Sequence, residues 1–317
     1  MRNGRFFSGC FAILSAIWIV GCSKSVTGPE NFQDVDKQAL EELILAEPLL
    51  TSDASALNDD GVATAMEVGS LGKAAAAIYP RGWGRRITSA SRSISFEQAN
   101  DSTVIGTVTY TLTGVVLIRA KYSLQSSTDT VIAKPFTETT THKVRFVRVA
   151  NTAVPRANWR MREVSAVKGG TSGSQVTIVR LTVVMGSDTV DVSDPNDYFL
   201  KLGFRGRGGV PEVPPSPTQP VSVQVTVVSS DPDTDMVSLH RPAPPMTAML
   251  LKPMSARMQL ISQTQSGTSY TRVYGASWQG VFLGRHTMFV SALTRSSIFD
   301  DQAPFSSQIW GVPFIVQ

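Results

Sequence analysis

Thr103-Val104-Ile105-Gly106-Thr107-Val108-Thr109-Tyr110-Thr111-Leu112-Thr113 is the stretch whose reading decides the fold. Val104, Val108, Tyr110 and Leu112 hold even positions, and every odd position except Ile105 is threonine. Side chains of a strand point alternately to two faces, so a period of two gives a β-strand with one apolar face and one wet one. The same grammar continues on the C-terminal side at Val144 to Val149, Trp159 to Val164 and Val176 to Met185. In the last of these the apolar face switches between Ile178 and Val179, which predicts a β-bulge.

Upstream the period changes. Phe32, Val35, Ala39, Leu40, Leu43 and Ile44 fall at helical spacing with Asp34, Asp36, Glu41 and Glu42 between them. The acidic first turn suits the positive end of a helix dipole, and Pro48 closes the segment. Ala74 to Ala77 reads as a second short helix after a polar, turn-forming stretch.

Downstream, Gly208-Gly209, Pro211, Pro214-Pro215, Pro217 and Pro220 crowd one segment that suits neither a helix nor a central strand. Residues 206–220 are therefore expected to link two domains. Beyond them Val221, Val223, Val225 and Val227 share one face, and strands are expected at Met236 to Leu239, Arg257 to Ile261, Tyr270 to Tyr274 and His286 to Ala292. The expected class is mainly β with an N-terminal helix. An α+β curved-sheet domain over 32–205 is followed by an immunoglobulin-like β-sandwich over 221–317.

The N-terminus has its own pattern. Arg2 and Arg5 precede an almost wholly apolar run from Phe11 to Val20, too short for a spanning helix and followed at once by Ser23 and Lys24. It ends in Ile19-Val20-Gly21-Cys22, which resembles the bacterial lipobox. The resemblance implies a signal peptide over 1–21, cleavage between Gly21 and Cys22, lipidation of Cys22 and a tether over 22–31. Several acyl chains hold a protein on a bilayer where one does so only marginally. In lipoproteins of this kind Asp after the cysteine tends to mean inner-membrane retention; Ser23 stands there, so the outer membrane of the cell envelope is expected.

Two weaker resemblances follow. Gly284-Arg285-His286, Phe299-Asp300-Asp301, Ala303-Pro304-Phe305 and Trp310-Gly311-Val312-Pro313-Phe314 look like the ends of bacterial envelope lipoproteins with immunoglobulin-like domains. The helix, long strands and Asn158-Trp159-Arg160-Met161 are faintly similar to the nuclear-transport-factor-two superfamily, which implies a curved sheet around a pocket.

The chain has two cysteines, Cys10 in the segment to be removed and Cys22 at the lipid. No thiol is left for a disulfide, a zinc finger or a nucleophile. Without Arg2 and Arg5 the 29 basic residues become 27 against 25 acidic ones, a balance that argues against nucleic acid as a partner.

Chemical motifs are few. His142, His240 and His286 lie far apart, with no second histidine at metal-ligand spacing. Gly170-Thr171-Ser172-Gly173-Ser174 lacks the spacing of a nucleophile elbow and reads as a hairpin loop. Asn58, Asp60, Gly61 and Glu67 match part of a calcium loop, but Ala56 occupies the first ligand position. Asp231, Asp233 and Asp235 alternate in a turn and are the weak metal candidates, more simply a solvated hairpin. Tyr79-Pro80-Arg81-Gly82-Trp83-Gly84-Arg85-Arg86 joins cations to aromatics, and its plain reading is a packed Trp83 with snorkelling arginines. No cofactor loop occurs. The expected partners are the membrane, through the anchor, and an envelope protein or glycan. The expected function is a non-catalytic binding or structural module; the alternative is a small-molecule-binding or enzymatic pocket in the α+β domain.

Overall fold

A computed structural model describes residues 33–51, 56–58, 78–186, 188–202, 212–213, 220–241, 254–278 and 284–316. Helix α1 (Asp34–Leu45) is followed by a 3₁₀ turn at Pro48–Leu50 and then by strands β1 (Tyr79–Asn100), β2 (Thr103–Lys121) and β3 (Thr130–Arg148). Short helix α2 (Pro155–Asn158) leads into β4 (Trp159–Ser165), β5 (Val167–Thr171), β6 (Val176–Met185), β7 (Asp188–Val192) and β8 (Phe199–Lys201). Next come β9 (Glu212–Val213), β10 (Val221–Ser229), β11 (Met236–Arg241), β12 (Met254–Arg257), β13 (Gln259–Ser266), β14 (Ser269–Trp278) and β15 (Gly284–Leu293). Helix α3 (Ser296–Phe299) and β16 (Ser307–Val316) complete the described chain. The protein is mainly β with one N-terminal helix of 12 residues, and its long strands pair antiparallel. Ala74 to Ala77 lie outside the described residues, as do Gly21 and Cys22.

The opening stretch behaves as its period requires. Every even position of β2 from Val104 to Ala120 is buried, and the threonine face is half-buried. The bulge in β6 is also present: Thr226 pairs with Arg180 but Val227 with Ile178, which leaves Val179 without a partner position and partly exposed. Val221, Val223, Val225 and Val227 all turn into the core, each stabilising the fold by about 1.5 to 3 kcal/mol relative to exposure.

Helix α1 keeps its expected place but not its whole expected face. Ala39, Leu40 and Ile44 are buried, whereas Val35 is 51% exposed and Asp36 turns inward. The cause is a partner set for the carboxylate. Trp159 Nε1 donates to Asp36 Oδ1 at 2.8 Å and Arg148 Nη2 to Asp36 Oδ2 at 3.0 Å, so burial of this acid is compensated.

Two sheets form among the described residues. One has 11 strands, along the path β1-β2-β3-β5-β16-β15-β11-β12 with β4, β8 and β9 attached; the other runs β13-β14-β10-β6-β7 in 5 strands. The smaller sheet packs over the β16, β15 and β11 region, burying Val183, Val223, Val225, Leu239, Val290 and Trp310 in one core. A second core lies under α1, with Leu40, Ile44, Leu50, Val108, Leu112, Phe146 and Trp159. A third joins Trp83, Val116, Ile118 and Phe136 to Ile298, Phe299 and Phe305.

This pairing corrects the expected division into two domains. β10, from beyond the Pro/Gly segment, pairs along its length with β6 from before it, and β16 pairs with β5. Within the segment itself, Glu212–Val213 adds a short parallel strand to β16. Strands β5, β6 and β7 from the first half of the chain thus share sheets with strands of the second half, and residues 206–220 connect strands of shared sheets. The expected strand from Arg257 to Ile261 also divides. β12 ends at Arg257 in the large sheet and β13 starts at Gln259 in the small one, with buried Met258 at the crossing.

Candidate functional site

Along the large sheet β1 and β11 stand far apart, yet Arg85 of β1 reaches His240 of β11, with Nη1 3.4 Å from Nε2. The sheet therefore curls until its two ends meet through side chains. Strand alternation sets which groups enter the interior. Arg85 points in and Arg86 out; Lys134, Phe136, Glu138, Thr140 and His142 alternate inward along β3.

Arg85 and Glu138 form one polar cluster with His240, Ser291 and Ser307. Arg85 Nη2 donates to Glu138 Oε1 at 3.4 Å, Ser307 Oγ donates to the same oxygen, and Ser291 Oγ lies 2.8 Å from His240 Nε2. The Arg85 guanidinium also faces the rings of Phe305 and Trp83 at 5.5 and 5.8 Å. Arg85 and Glu138 have no exposed surface, and His240, Ser291 and Ser307 are equally enclosed. Burial, reinforced by the Arg85 charge, lowers the His240 pKa to about 3. The imidazole is thus neutral. Because Nε2 accepts from Arg85, its proton sits on Nδ1, which has no hydrogen-bond partner among the described residues.

A serine within hydrogen-bond reach of a histidine is the chemistry of an activated nucleophile. Among the described residues the third group is missing, because the Glu138 oxygen that is bonded serves Arg85 and Ser307 and none of their acids orients Nδ1. Every member is sealed from water, so the arrangement neutralises buried charge and fixes the curl of the sheet.

The weak metal candidates are also placed. Asp235 is buried against Arg272, whose Nη1 donates to Asp235 Oδ2 and Ser229 Oγ at 2.9 Å each. Arg272 Nη2 donates to the carbonyls of Asp231 and Pro232, and Tyr274 Oη donates to Asp235. Asp231 Oδ1 accepts from the Asp233 amide, and Asp233 pairs with Arg295 at 3.4 Å. Two guanidinium groups hold the positions a cation would need. The expected solvated hairpin is corrected at Asp235, where burial raises the carboxyl pKa. Among the described residues no group of three or more His, Cys, Asp or Glu side chains gathers as a metal site.

Other sequence candidates resolve simply. Asn58 Oδ1 accepts the Ile87 amide at 3.3 Å, while Asp60, Gly61 and Glu67 lie outside the described residues. Trp83 packs as expected, but Arg85 is buried instead of snorkelling. Gly173, at φ +67°, sits between β5 and β6, which belong to different sheets, so the expected hairpin loop is corrected to a turn that carries the chain from one sheet to the other. No helix among the described residues is long and apolar enough to cross a membrane. Comparison with protein-family models, curated proteins and solved structures finds no match.

Proposed function

We propose that this protein is a lipid-anchored component of the bacterial cell envelope, in the outer membrane, whose β body acts as a non-catalytic binding or structural module. The observation that carries the reading is the placement of Ile19-Val20-Gly21-Cys22 at the end of a basic-then-apolar leader. The sealed Arg85, Glu138, His240, Ser291 and Ser307 cluster supports a scaffold, since the Ser291–His240 pair within it is closed to substrate. The finer fold reading is an immunoglobulin-like sandwich beside a helix-and-curved-sheet region of the nuclear-transport-factor-two kind. Its support is the pair of facing antiparallel sheets and the packing of α1 against long strands.

The test is chemical. Mature protein should carry acyl chains at residue 22, and Cys22→Ser should accumulate as uncleaved precursor without that mass. A lipidated, membrane-bound Cys22→Ser product overturns the anchor. For the module itself, saturable substrate turnover abolished by Ser291→Ala or His240→Gln, with folding intact by circular dichroism, would replace the scaffold with an enzyme.

A further inference from the structure

The anchored body meets the bilayer with a definite face. We propose that Val35, Val149 and Val154, flanked by Arg156, Arg160 and Arg162, form a foot that rests on an anionic lipid surface; the inference builds on the lipoprotein reading above.

The foot lies where the described chain begins. Asp36, in the first turn of α1, is tied to Arg148 and Trp159, so the helix start is fixed against the segment that carries Val149 and Val154. Val149 follows Arg148 directly, its amide donating to the Asn158 carbonyl at 2.7 Å, and Val154 precedes α2. Glu42, two helical turns beyond Val35 and on the same face, pairs with Arg156 of α2 at 3.7 Å. Helix start, loop and α2 thus form one surface. From Cys22 to Gln33 is 11 residue steps, a covalent reach of at most about 40 Å. A lipid at Cys22 holds this end of the body close to the headgroups.

Composition fits such a neighbour. Val35, Val149 and Val154 are 51%, 44% and 59% exposed. Single exposed valines are ordinary on any surface. Here they are joined by Ala153 and Ala157, and the stretch from Val149 to Arg162 contains three arginines and no acid. Apolar side chains among cations are what an interfacial surface on anionic lipid uses. Two acids near the foot are paired, Glu42 with Arg156 and Asp34 with Lys37 at 2.8 Å.

The far end of the molecule gives the contrast. Arg148 N–H donates to the Ser102 carbonyl, which places the start of β2 beside the foot. β2 then runs 19 residues to Lys121, about 60 Å of strand, so exposed Leu124 at the β2–β3 turn stands far from the lipid.

The experiment uses the lipidated chain in vesicles of phosphatidylethanolamine and phosphatidylglycerol carrying depth quenchers. The mature chain has no cysteine besides Cys22, so Val154→Cys and Leu124→Cys each give one labelling position. A polarity-sensitive label at 154 should shift to the blue and be quenched several-fold more than one at 124. Water-like emission from both, with the acyl mass present on Cys22, overturns the foot and leaves the anchor standing. Absence of acyl mass overturns the anchor, and the unlipidated chain is then floated with the same vesicles. A several-fold loss of flotation in Val149→Asp/Val154→Asp supports the foot; unchanged flotation overturns it.

Discussion

Arg272 Nη1 lies 2.9 Å from Asp235 Oδ2, and neither side chain has any exposed surface. The pair stands where the sequence offers three alternating acids. An ion pair so deeply buried is costly to form, and far costlier to leave half-formed. Arg272→Leu should therefore destabilise the protein by about 3 to 5 kcal/mol, while Arg272→Leu/Asp235→Leu should recover most of that loss. Urea denaturation followed by tryptophan fluorescence measures both. Because the arginine already neutralises Asp235, millimolar calcium should leave the melting temperature unchanged. A calcium-dependent rise of several degrees would contradict the assignment.

His240 makes stability depend on acid. Its pKa is about 3 in the fold, below the ordinary histidine value of 6.5, because the buried ring beside Arg85 resists protonation. Between those two values the unfolded chain binds the extra proton. The neutral ring's contribution is complete above about pH 6.5 and is lost as pH falls toward 3. From pH 7.5 to pH 5 this one group should lower stability by about 2 kcal/mol. His240→Gln removes the titration and should reduce the acid sensitivity of the urea midpoint by that amount. An unchanged pH profile in the variant would show that His240 is accessible to protons in the fold.

The strands that were legible in the sequence are those whose evidence is local. β2 and β10 declare themselves through period two, and the β6 bulge through a switch of apolar face at Val179. The polar cluster had no local sign. Arg85 and His240 lie 155 residues apart, and nothing near Arg85 distinguishes it from Arg86. Which of the two enters the core is set by the phase of β1 against β2. The two-domain expectation failed for a related reason: Pro and Gly mark where a chain departs from a sheet and carry no information on whether it returns to the same one. Helical spacing counts apolar residues and so puts Val35 on the buried face, whereas Trp159 and Arg148 make burial of Asp36 favourable.

The seam between β3 and β16 depends on glycine. β5 lies between β3 and β16, and Gly170 has φ +137° with the Ser307 carbonyl 2.3 Å from where a Cβ would stand. Gly170→Ala combines backbone strain with a clash against backbone, so a loss of about 3 kcal/mol or more is expected. Gly173→Ala is the control. It shares a positive φ but meets nothing within 4 Å, and should cost about 1 kcal/mol. Equal losses in thermal melts would mean that the seam accommodates a side chain.

The shared sheets make a sharper prediction about cutting the chain. Ending it at residue 205 strips β10 from β6 and β16 from β5, and so exposes Val176, Ile178, Leu181 and Val183 of the core between the two sheets. A fragment from 221 to 317 loses the same partners and leaves one edge of β10 and one edge of β16 without a neighbouring strand. Neither piece should fold alone. Both are expected to bind a hydrophobic dye and to exchange amide hydrogens rapidly. Protease nicking within 206–220 is a different event, because the cut leaves the β10–β6 and β16–β5 pairings intact. The two halves should stay together through the β10–β6 and β16–β5 ladders, elute as one species in native buffer and separate only in denaturant. Recovery of a monomeric, cooperatively melting fragment starting near Val221 would restore the independent C-terminal domain that the strand pairing denies.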